Sequence, residues 1–255
     1  MNTSIQSASL RVTNDLIFKL CSKKISKGVK ILDFGAGKGH MCQRIGDMLE
    51  SMGLVPSECI SACEIDNSGF EYKKINCLKI GADSKIPFPD DSLDVVYAIE
   101  VIEHLKCPYT FIDEAYRVLK KDGILILSTP NCGHLFSRLA YLLTGFFSFY
   151  PPPSVKEANA GRICGHIMPL GFSYLRYGCL KSGFQNLTFH VDKRKRGILP
   201  YAIFLRPIMK LFSFIYAGKI KAYDGDLWAE NKNMIQHANT VNALTARSIV
   251  VEAYK

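Results

Sequence analysis

The chain has 255 residues, 48% apolar and 22% charged. That composition excludes a disordered or fibrous protein and supplies a core large enough to fold without staples. The net charge of +9 is lopsided: residues 1–131 hold 16 Lys and Arg against 17 Asp and Glu, whereas residues 132–255 hold 16 against 6. A neutral first part suits a self-contained chemical core, and a basic second part suits contact with an anionic partner. The nine cysteines form no C-x-x-C pair and no Cys/His zinc spacing, so reduced thiols in a cytosolic protein are expected. Met1–Leu20 lacks a basic start followed by an apolar stretch, which argues against a secretory signal. The absence of a run of about 18 uncharged apolar residues argues against a spanning helix.

In chain order, Val29–Phe34 reads as a buried strand ending in glycines, and His40–Met52 as a helix stopped by Gly53. Cys59–Ile65 and Cys77–Ala82 read as the second and third strands. Pro87, Pro89 and Asp90–Asp91 mark a turn, followed by a β-branched strand at Asp94–Ile99. Pro108–Lys120 has proline in its first turn and an apolar face at helical spacing, and Ile124–Ser128 follows as a fifth strand. Near-continuous apolar strands alternating with helices predict an α/β fold with a doubly wound, mostly parallel sheet. Beyond Pro130 come an apolar aromatic stretch at Leu135–Tyr150, a helix at Phe172–Ser182, a strand at Asn186–Val191 and a last strand at Thr245–Tyr254. These bring the sheet to seven strands. The intervening segment from Asp192 to Leu244 is too long for a simple loop and should carry structure of its own.

In such a sheet ligands bind beyond the carboxyl ends of the strands, so candidate site residues are those just after each strand. Asp33-Phe34-Gly35-Ala36-Gly37-Lys38-Gly39 gives a tight turn open to a ligand, but His40 stands where a dinucleotide fingerprint wants Gly or Ala. Asp33 would repel a pyrophosphate and suits a cationic amino-acid moiety. Glu64, ending the second strand, can accept from both hydroxyls of a ribose, and Asp83, beside Ser84, from an adenine amine.

ILDFGAGKG, ACEID, IPFPDDSLDVVYAIEVIEHL and RVLKKDGILILSTPN, recurring in that order over about residues 25–131, resemble the class I S-adenosylmethionine-dependent methyltransferases. The resemblance implies a Rossmann-like core, S-adenosylmethionine as cofactor, and a methionine end held by Asp33, Gly35, Ala36, Gly37 and Gly39. It further implies that Glu64 with Ile65 takes the ribose, that Asp83 and Ser84 meet the adenine, and that the backbone at Ile99 and Glu100 closes the pocket. Relatives usually place the adenine-side acid where this chain has Ala82, one position before Asp83.

His104, in Glu100-Val101-Ile102-Glu103-His104, is the candidate general base, since an unperturbed imidazole takes a proton near neutral pH. His166, in Gly165-His166-Ile167-Met168-Pro169, is a second candidate on the acceptor side, with Arg162 or Tyr150. Cys164–Gly183 is similar to a segment of saccharide- and lipid-modifying methyltransferases. No metal is expected. Lys193-Arg194-Lys195-Arg196, the apolar segment Ile198–Gly218, and Lys219 and Lys221 together read as a helix lying in a membrane interface, with Leu135–Tyr150 as a second wall. A lid and a homodimer contact are the alternatives; nucleic acid is not expected, because aromatic and basic residues do not interleave.

The expected architecture is therefore a cofactor-binding core at 1–131 and a part at 132–255 that completes the sheet. That second part carries helical insertions at about 135–170 and 192–244. The expected activity is O-methylation of a lipid-linked, saccharide or isoprenoid-type acceptor, by a cytoplasmic protein peripheral to the inner membrane face. A methyltransferase for a soluble small molecule, and a cofactor-binding partner without catalysis, are the rivals.

Overall fold

Strands covered on both faces must be apolar on successive residues, and Ile31–Phe34 (β1) is buried at all four. The computed structural model describes residues 5–156 and 162–255. Residues 1–4 of the N-terminal stretch and 157–161 of the first insertion lie outside the described residues. Around β1 the order is α1 (Arg11–Ser22), α2 (His40–Ser51), α3 (Pro56–Cys59), β2 (Ile60–Glu64), β3 (Cys77–Lys79) and β4 (Leu93–Ile99). Then follow α4 (Pro108–Val118), β5 (Leu119–Pro130), α5 (Leu135–Thr144), α6 (Phe172–Ser182) and β6 (Gln185–Val191). The chain ends with α7 (Leu199–Tyr223), α8 (Gly225–His237), α9 (Val241–Thr245) and β7 (Ser248–Tyr254).

The seven strands form one sheet in the order β3-β2-β1-β4-β5-β7-β6. The first five are parallel, and β7 runs antiparallel to both β5 and β6. Strand period 2 sends alternate residues to opposite cores. Ile31, Val95, Tyr97, Ile124 and Ile126 join Ile17 and Leu20 of α1 and Ile45 and Leu49 of α2 on one face. Leu32, Val96, Ala98, Leu125 and Leu127 join Phe111 and Ile112 of α4 and Leu175 of α6 on the other. The sequence places the seven strands but does not reveal α1, α3, α8 and α9. It overextends the third strand, which ends at Lys79, and starts the last strand three residues early, because α9 occupies Val241–Thr245.

The second insertion is a hairpin of α7 and α8 closed by α9. Only one stripe of α7 docks: Ala202 is buried with Ile198, Leu135 and Leu244, and Leu205 and Met209 pack against them. Arg206 donates to the Asn239 carbonyl at 3.3 Å, and Asn239 Nδ2 donates to Ser213 Oγ. Tyr201, Ile203, Phe204, Ile208, Leu211 and Phe212 are exposed. The docked stripe mixes Ala202, Leu205 and Met209 with Arg206 and Ser213, while a broad apolar flank faces outward, unlike a surface helix of a globular domain. By length and composition alone this segment is apolar enough to cross a membrane, although Arg206 and Lys210 interrupt it and leave no long uncharged run. A stretch within Arg196–Tyr223 has mean hydropathy 1.5 and is 11% buried.

Candidate active site

The strand order reverses between β1 and β4, and the loops after these two strands meet. Gly35 sits at φ 77° against Val101 of the β4 loop, where an added Cβ would lie 2.4 Å from the Val101 Cγ2. Gly35 and Ala36 also donate backbone N–H groups to the Cys63 carbonyl of β2. Gly39, at φ 87°, caps α2 against Phe70. Gly37, at φ 53°, differs: a Cβ there would meet no protein atom within 4 Å. The turn is pinned on both sides and open in the middle.

Glu64 is locked to this turn. Its Oε2 accepts from the Gly37 N–H at 2.9 Å and its Oε1 from the Ile65 N–H at 2.8 Å. Each oxygen keeps lone-pair capacity for a further donor, which suits a vicinal diol. Ile65 itself is exposed. Asp33 lies beneath the turn, 3% exposed, with Oδ2 accepting from Tyr97 Oη at 2.9 Å and from the Cys42 thiol at 3.1 Å. Burial pushes its carboxyl up to about 7, against the opposing pull of these two donors. The sequence reading had the acid but not its depth, nor Tyr97 and Cys42 as its supports. On the β3 side Asp83 is exposed, while Ser84, at φ 63°, is buried, its hydroxyl without a partner among the described residues. Asp83 lines an open cleft of about 540 Å³ together with Lys79, Lys85, Pro87 and Arg117.

β4 ends at Ile99, and Glu100 follows in the left-handed region at φ 53°. Its N–H donates to Ser128 of β5, and its carboxylate pairs with Arg247 at 2.7 Å and accepts from Ser248 at 3.1 Å. Arg247 was not foreseen, since only its position before the last strand marks it. A 3-10 turn at Ile102–His104 then buries Glu103 completely. Among the described residues neither Glu103 carboxylate oxygen has a well-formed hydrogen bond, although the Thr129 hydroxyl stands near enough to oppose the rise in its pKa. Burial raises this acid to about 8, Glu100 adds to the rise, and Arg247 opposes it. The Glu103 carbonyl accepts from the Ile167 and Met168 N–H groups, which brings His166 to the same place. The rings of His104 and His166 stand edge to face with centroids 4.7 Å apart. His104 Nδ1 lies 3.1 Å from the Gly165 carbonyl, and His166 Nδ1 lies 2.7 Å from the Phe149 carbonyl. A carbonyl can only accept, so each Nδ1 carries the proton and each Nε2 the lone pair. Burial also lowers the basicity of His166.

Tyr150, buried, lies with its ring 5.5 Å from that of His166. Arg162 is exposed. Of the basic run, Lys195 turns inward, its Nζ 2.9 Å from His134 Nε2 and 4.5 Å from the Phe149 ring centroid, while Lys193, Arg194 and Arg196 stay exposed. Desolvation, together with Lys195 and Arg138, lowers His134 to about 4, so it stays neutral beside the lysine.

Residues 32–127 match the methyltransferase domain family. The chain is 33% identical over 105 residues to a probable S-adenosylmethionine-dependent methyltransferase of Mycolicibacterium smegmatis, covering 41% of this chain and 39% of that protein. It is 30% identical over 120 residues to the ubiquinone biosynthesis O-methyltransferase of Maricaulis maris, covering 45% of each. The chain spans less than half the length of both curated relatives. A crystal structure of an S-adenosylmethionine-dependent methyltransferase from Archaeoglobus fulgidus superposes with a TM-score of 0.55 at 14% identity, over 95% of this chain and 94% of that one. The likeness there is one of fold. The pinned glycine turn, the β2 acid bound to it, the strand order and these matches identify residues 32–127 as a class I S-adenosylmethionine-dependent methyltransferase domain.

Proposed function

We propose that the protein transfers a methyl group from S-adenosylmethionine to a hydroxyl of a lipid-linked, saccharide or isoprenoid-type acceptor at the cytoplasmic face of a membrane. The observation that carries this reading is the pairing of a polar cluster beyond β4, Glu103 with His104 and His166, with an outward-facing apolar flank on α5 and α7.

The cofactor fits the residues present. The space at Gly37 admits a ligand against the backbone, Glu64 offers the ribose its remaining lone pairs, and the Ser84 hydroxyl awaits a donor or acceptor on the adenine side. Asp33 sets an acidic floor under the methionine end, with its two protein donors both on Oδ2. When bound, the sulfonium supplies an already activated methyl group, so the protein mainly aligns the acceptor and excludes water. An aliphatic hydroxyl gains from a base, and His104 Nε2, held in its tautomer by Gly165, is suited to taking that proton. The relative from Maricaulis maris is named an O-methyltransferase, which favours oxygen as the accepting atom.

The membrane part of the reading rests on α7. A helix docked through Ala202, Leu205 and Met209 lies along the body rather than across a bilayer. Its exposed flank continues into α5, where the Phe136 and Tyr201 rings meet at 5.7 Å and Leu142 and Leu143 face outward. Exposed Lys193, Arg194, Arg196, Lys219 and Lys221 border this flank, and each basic residue near anionic lipid adds about 1 kcal/mol.

The test is a labelled-methyl assay on cell membranes, with flotation on vesicles of neutral and anionic lipid. The expectation is incorporation into a lipid-soluble product and binding that rises with anionic lipid. Transfer only to soluble small molecules, with no vesicle binding, would assign α7 to a lid. Absence of transfer by protein that binds the demethylated cofactor product would leave a binding protein without catalysis. In the same assay His104→Ala should depress turnover far more than cofactor affinity.

A further inference from the structure

We infer that Glu103, His104 and His166 form a binding site for one divalent first-row transition ion on the acceptor side of the crevice. One ligand atom from each residue lies within 4.8 Å of the others. Bonds of about 2.0–2.2 Å to nitrogen and oxygen need donors closer together than that limit, so binding would draw the three inward through small side-chain rotations.

Three independent features of the cluster agree with this use. The first is the buried carboxylate. Both Glu103 oxygens are sealed from solvent and, among the described residues, accept no well-formed hydrogen bond even though the Thr129 hydroxyl is near, which is costly unless something else completes the site. A cation does so, and it also explains why an acid is kept at a position 0% exposed.

The second is the orientation of the two imidazoles. Each Nδ1 is tied to a backbone carbonyl, His104 to Gly165 and His166 to Phe149. A ligating histidine characteristically donates its other ring N–H in this way, which fixes the tautomer and directs the lone pair of Nε2.

The third is the backbone framework. The Glu103 carbonyl receives the N–H groups of Ile167 and Met168, so the two segments that supply the ligands are joined by backbone hydrogen bonds. Phe149, whose carbonyl holds His166, is itself strained at φ 70°.

Two imidazoles and one carboxylate are borderline donors that favour zinc, cobalt, iron(II) or manganese over magnesium, and three ligands leave coordination positions open. An oxygen of the acceptor would occupy one of them; with the ion bound, His104 Nε2 is a ligand and no longer a base, and the ion instead acidifies the acceptor hydroxyl, whose proton passes to solvent. That consequence rests on the proposed methyl transfer; binding of the ion does not.

The experiment uses the full-length protein, stripped of metal and titrated with Co2+ and with Zn2+ by calorimetry and visible spectroscopy, with Mg2+ as the hard-ion comparison. The expected result is one Co2+ or Zn2+ per chain, a cobalt spectrum free of thiolate charge transfer, and much weaker Mg2+ binding. His166→Ala and Glu103→Gln should each weaken Co2+ by at least about 100-fold. The exposed thiol variant Cys107→Ser should bind Co2+ like the wild type. Binding of S-adenosylhomocysteine at wild-type affinity certifies that each variant is folded. Protein that binds S-adenosylhomocysteine but not Co2+ or Zn2+ overturns the inference, as does equal metal binding by the variants or a thiolate spectrum. Protein that binds Co2+ through these residues but not S-adenosylhomocysteine would instead overturn the methyltransferase reading and leave the metal site standing.

Discussion

Gly37→Ala separates the shape of the cofactor turn from its strain. At φ 53° an alanine is disfavoured by about 1–2 kcal/mol, and its Cβ would meet no protein atom within 4 Å. Gly28→Ala is the matched comparison: φ is 84°, the surroundings are equally empty, and the residue lies before β1, away from the crevice. Both variants should lose about 2–8 °C in melting temperature, since 1 kcal/mol moves a chain of this size by about 2–4 °C. Only Gly37→Ala should lose affinity for S-adenosylhomocysteine, because only there does the new methyl group enter the ligand's space. A misplaced methyl group costs about 1–3 kcal/mol, which is roughly a 5- to 150-fold rise in Kd. Thermal shift reads the same quantity. Ligand at 100 times the wild-type Kd stabilises the wild type by about 2.7 kcal/mol, and a tenfold weaker variant by about 1.4 kcal/mol. If Gly37→Ala binds the ligand as Gly28→Ala does, the cofactor does not lie on this turn and the assignment of the crevice is wrong.

Asp33→Asn tests the buried acid through pH. Its folded pKa of about 7 lies above the ordinary carboxylate value of 3.8, so between these values the folded chain holds a proton that the unfolded chain releases. Stability then falls as pH rises through that window, by up to about 4 kcal/mol at 1.36 kcal/mol per unit. Urea unfolding at pH 4.5 and 7.5 should therefore show a steeper decline in the wild type than in the variant, which keeps the contribution of the raised Glu103; identical slopes would refute it. Glu64→Gln places an amide donor or a lone acceptor where Gly37 and Ile65 both donate, and should weaken S-adenosylhomocysteine at least about tenfold while melting changes little. Unaltered affinity would remove Glu64 from the ribose. On α7, Phe204→Glu with Phe212→Glu should leave melting within about the ±0.5 kcal/mol of surface changes yet abolish vesicle flotation. Ala202→Glu, on the docked stripe, should destabilise the fold instead. Flotation unaffected by the double variant would end the membrane reading.

The parallel core was legible because its signals are local. Val95, Val96 and Tyr97 announce a strand by composition, and the glycines after Phe34 announce the turn, so β1, β2, β4 and the cofactor edge could be placed from residue order alone. α1 escaped because Ile17, Leu20 and Cys21 bury a face that neighbouring polar residues dilute, and α8 because no residue of it is buried among the described ones. The acceptor cluster was half legible. His104 and His166 stand out by residue type, but Glu103 looks like a solvated acid until the 3-10 turn buries it. Arg247 is 147 residues from Glu100, and no periodicity links two residues that only the antiparallel return of β7 brings together. The basic run Lys193–Arg196 reads as a uniform charge cluster, yet Lys195 faces His134 and the site, because its N–H is fixed to the Thr245 carbonyl.

The same topology divides the crevice into two sets of contacts. The cofactor turn depends on contacts among β1, β2 and the β4 loop: Gly35 on Val101, and Gly37 and Ile65 on Glu64. The acceptor cluster depends on the β4 loop and on segments added after β5, with Glu103 holding Ile167 and Met168, and Glu100 holding Arg247 and Ser248. The β4 loop, residues 100–104, is the one stretch common to both sets. A change there should disturb both bindings, whereas changes at Gly37 or His166 should disturb one each. Val101→Ala is the discriminating case: it removes two methyl groups packed on Gly35 without touching a polar ligand atom. Loosening that contact should weaken S-adenosylhomocysteine and Co2+ together, because the 3-10 turn that buries Glu103 begins at the next residue. Weakened cofactor binding with an unchanged metal affinity would show that the two halves of the site are held separately.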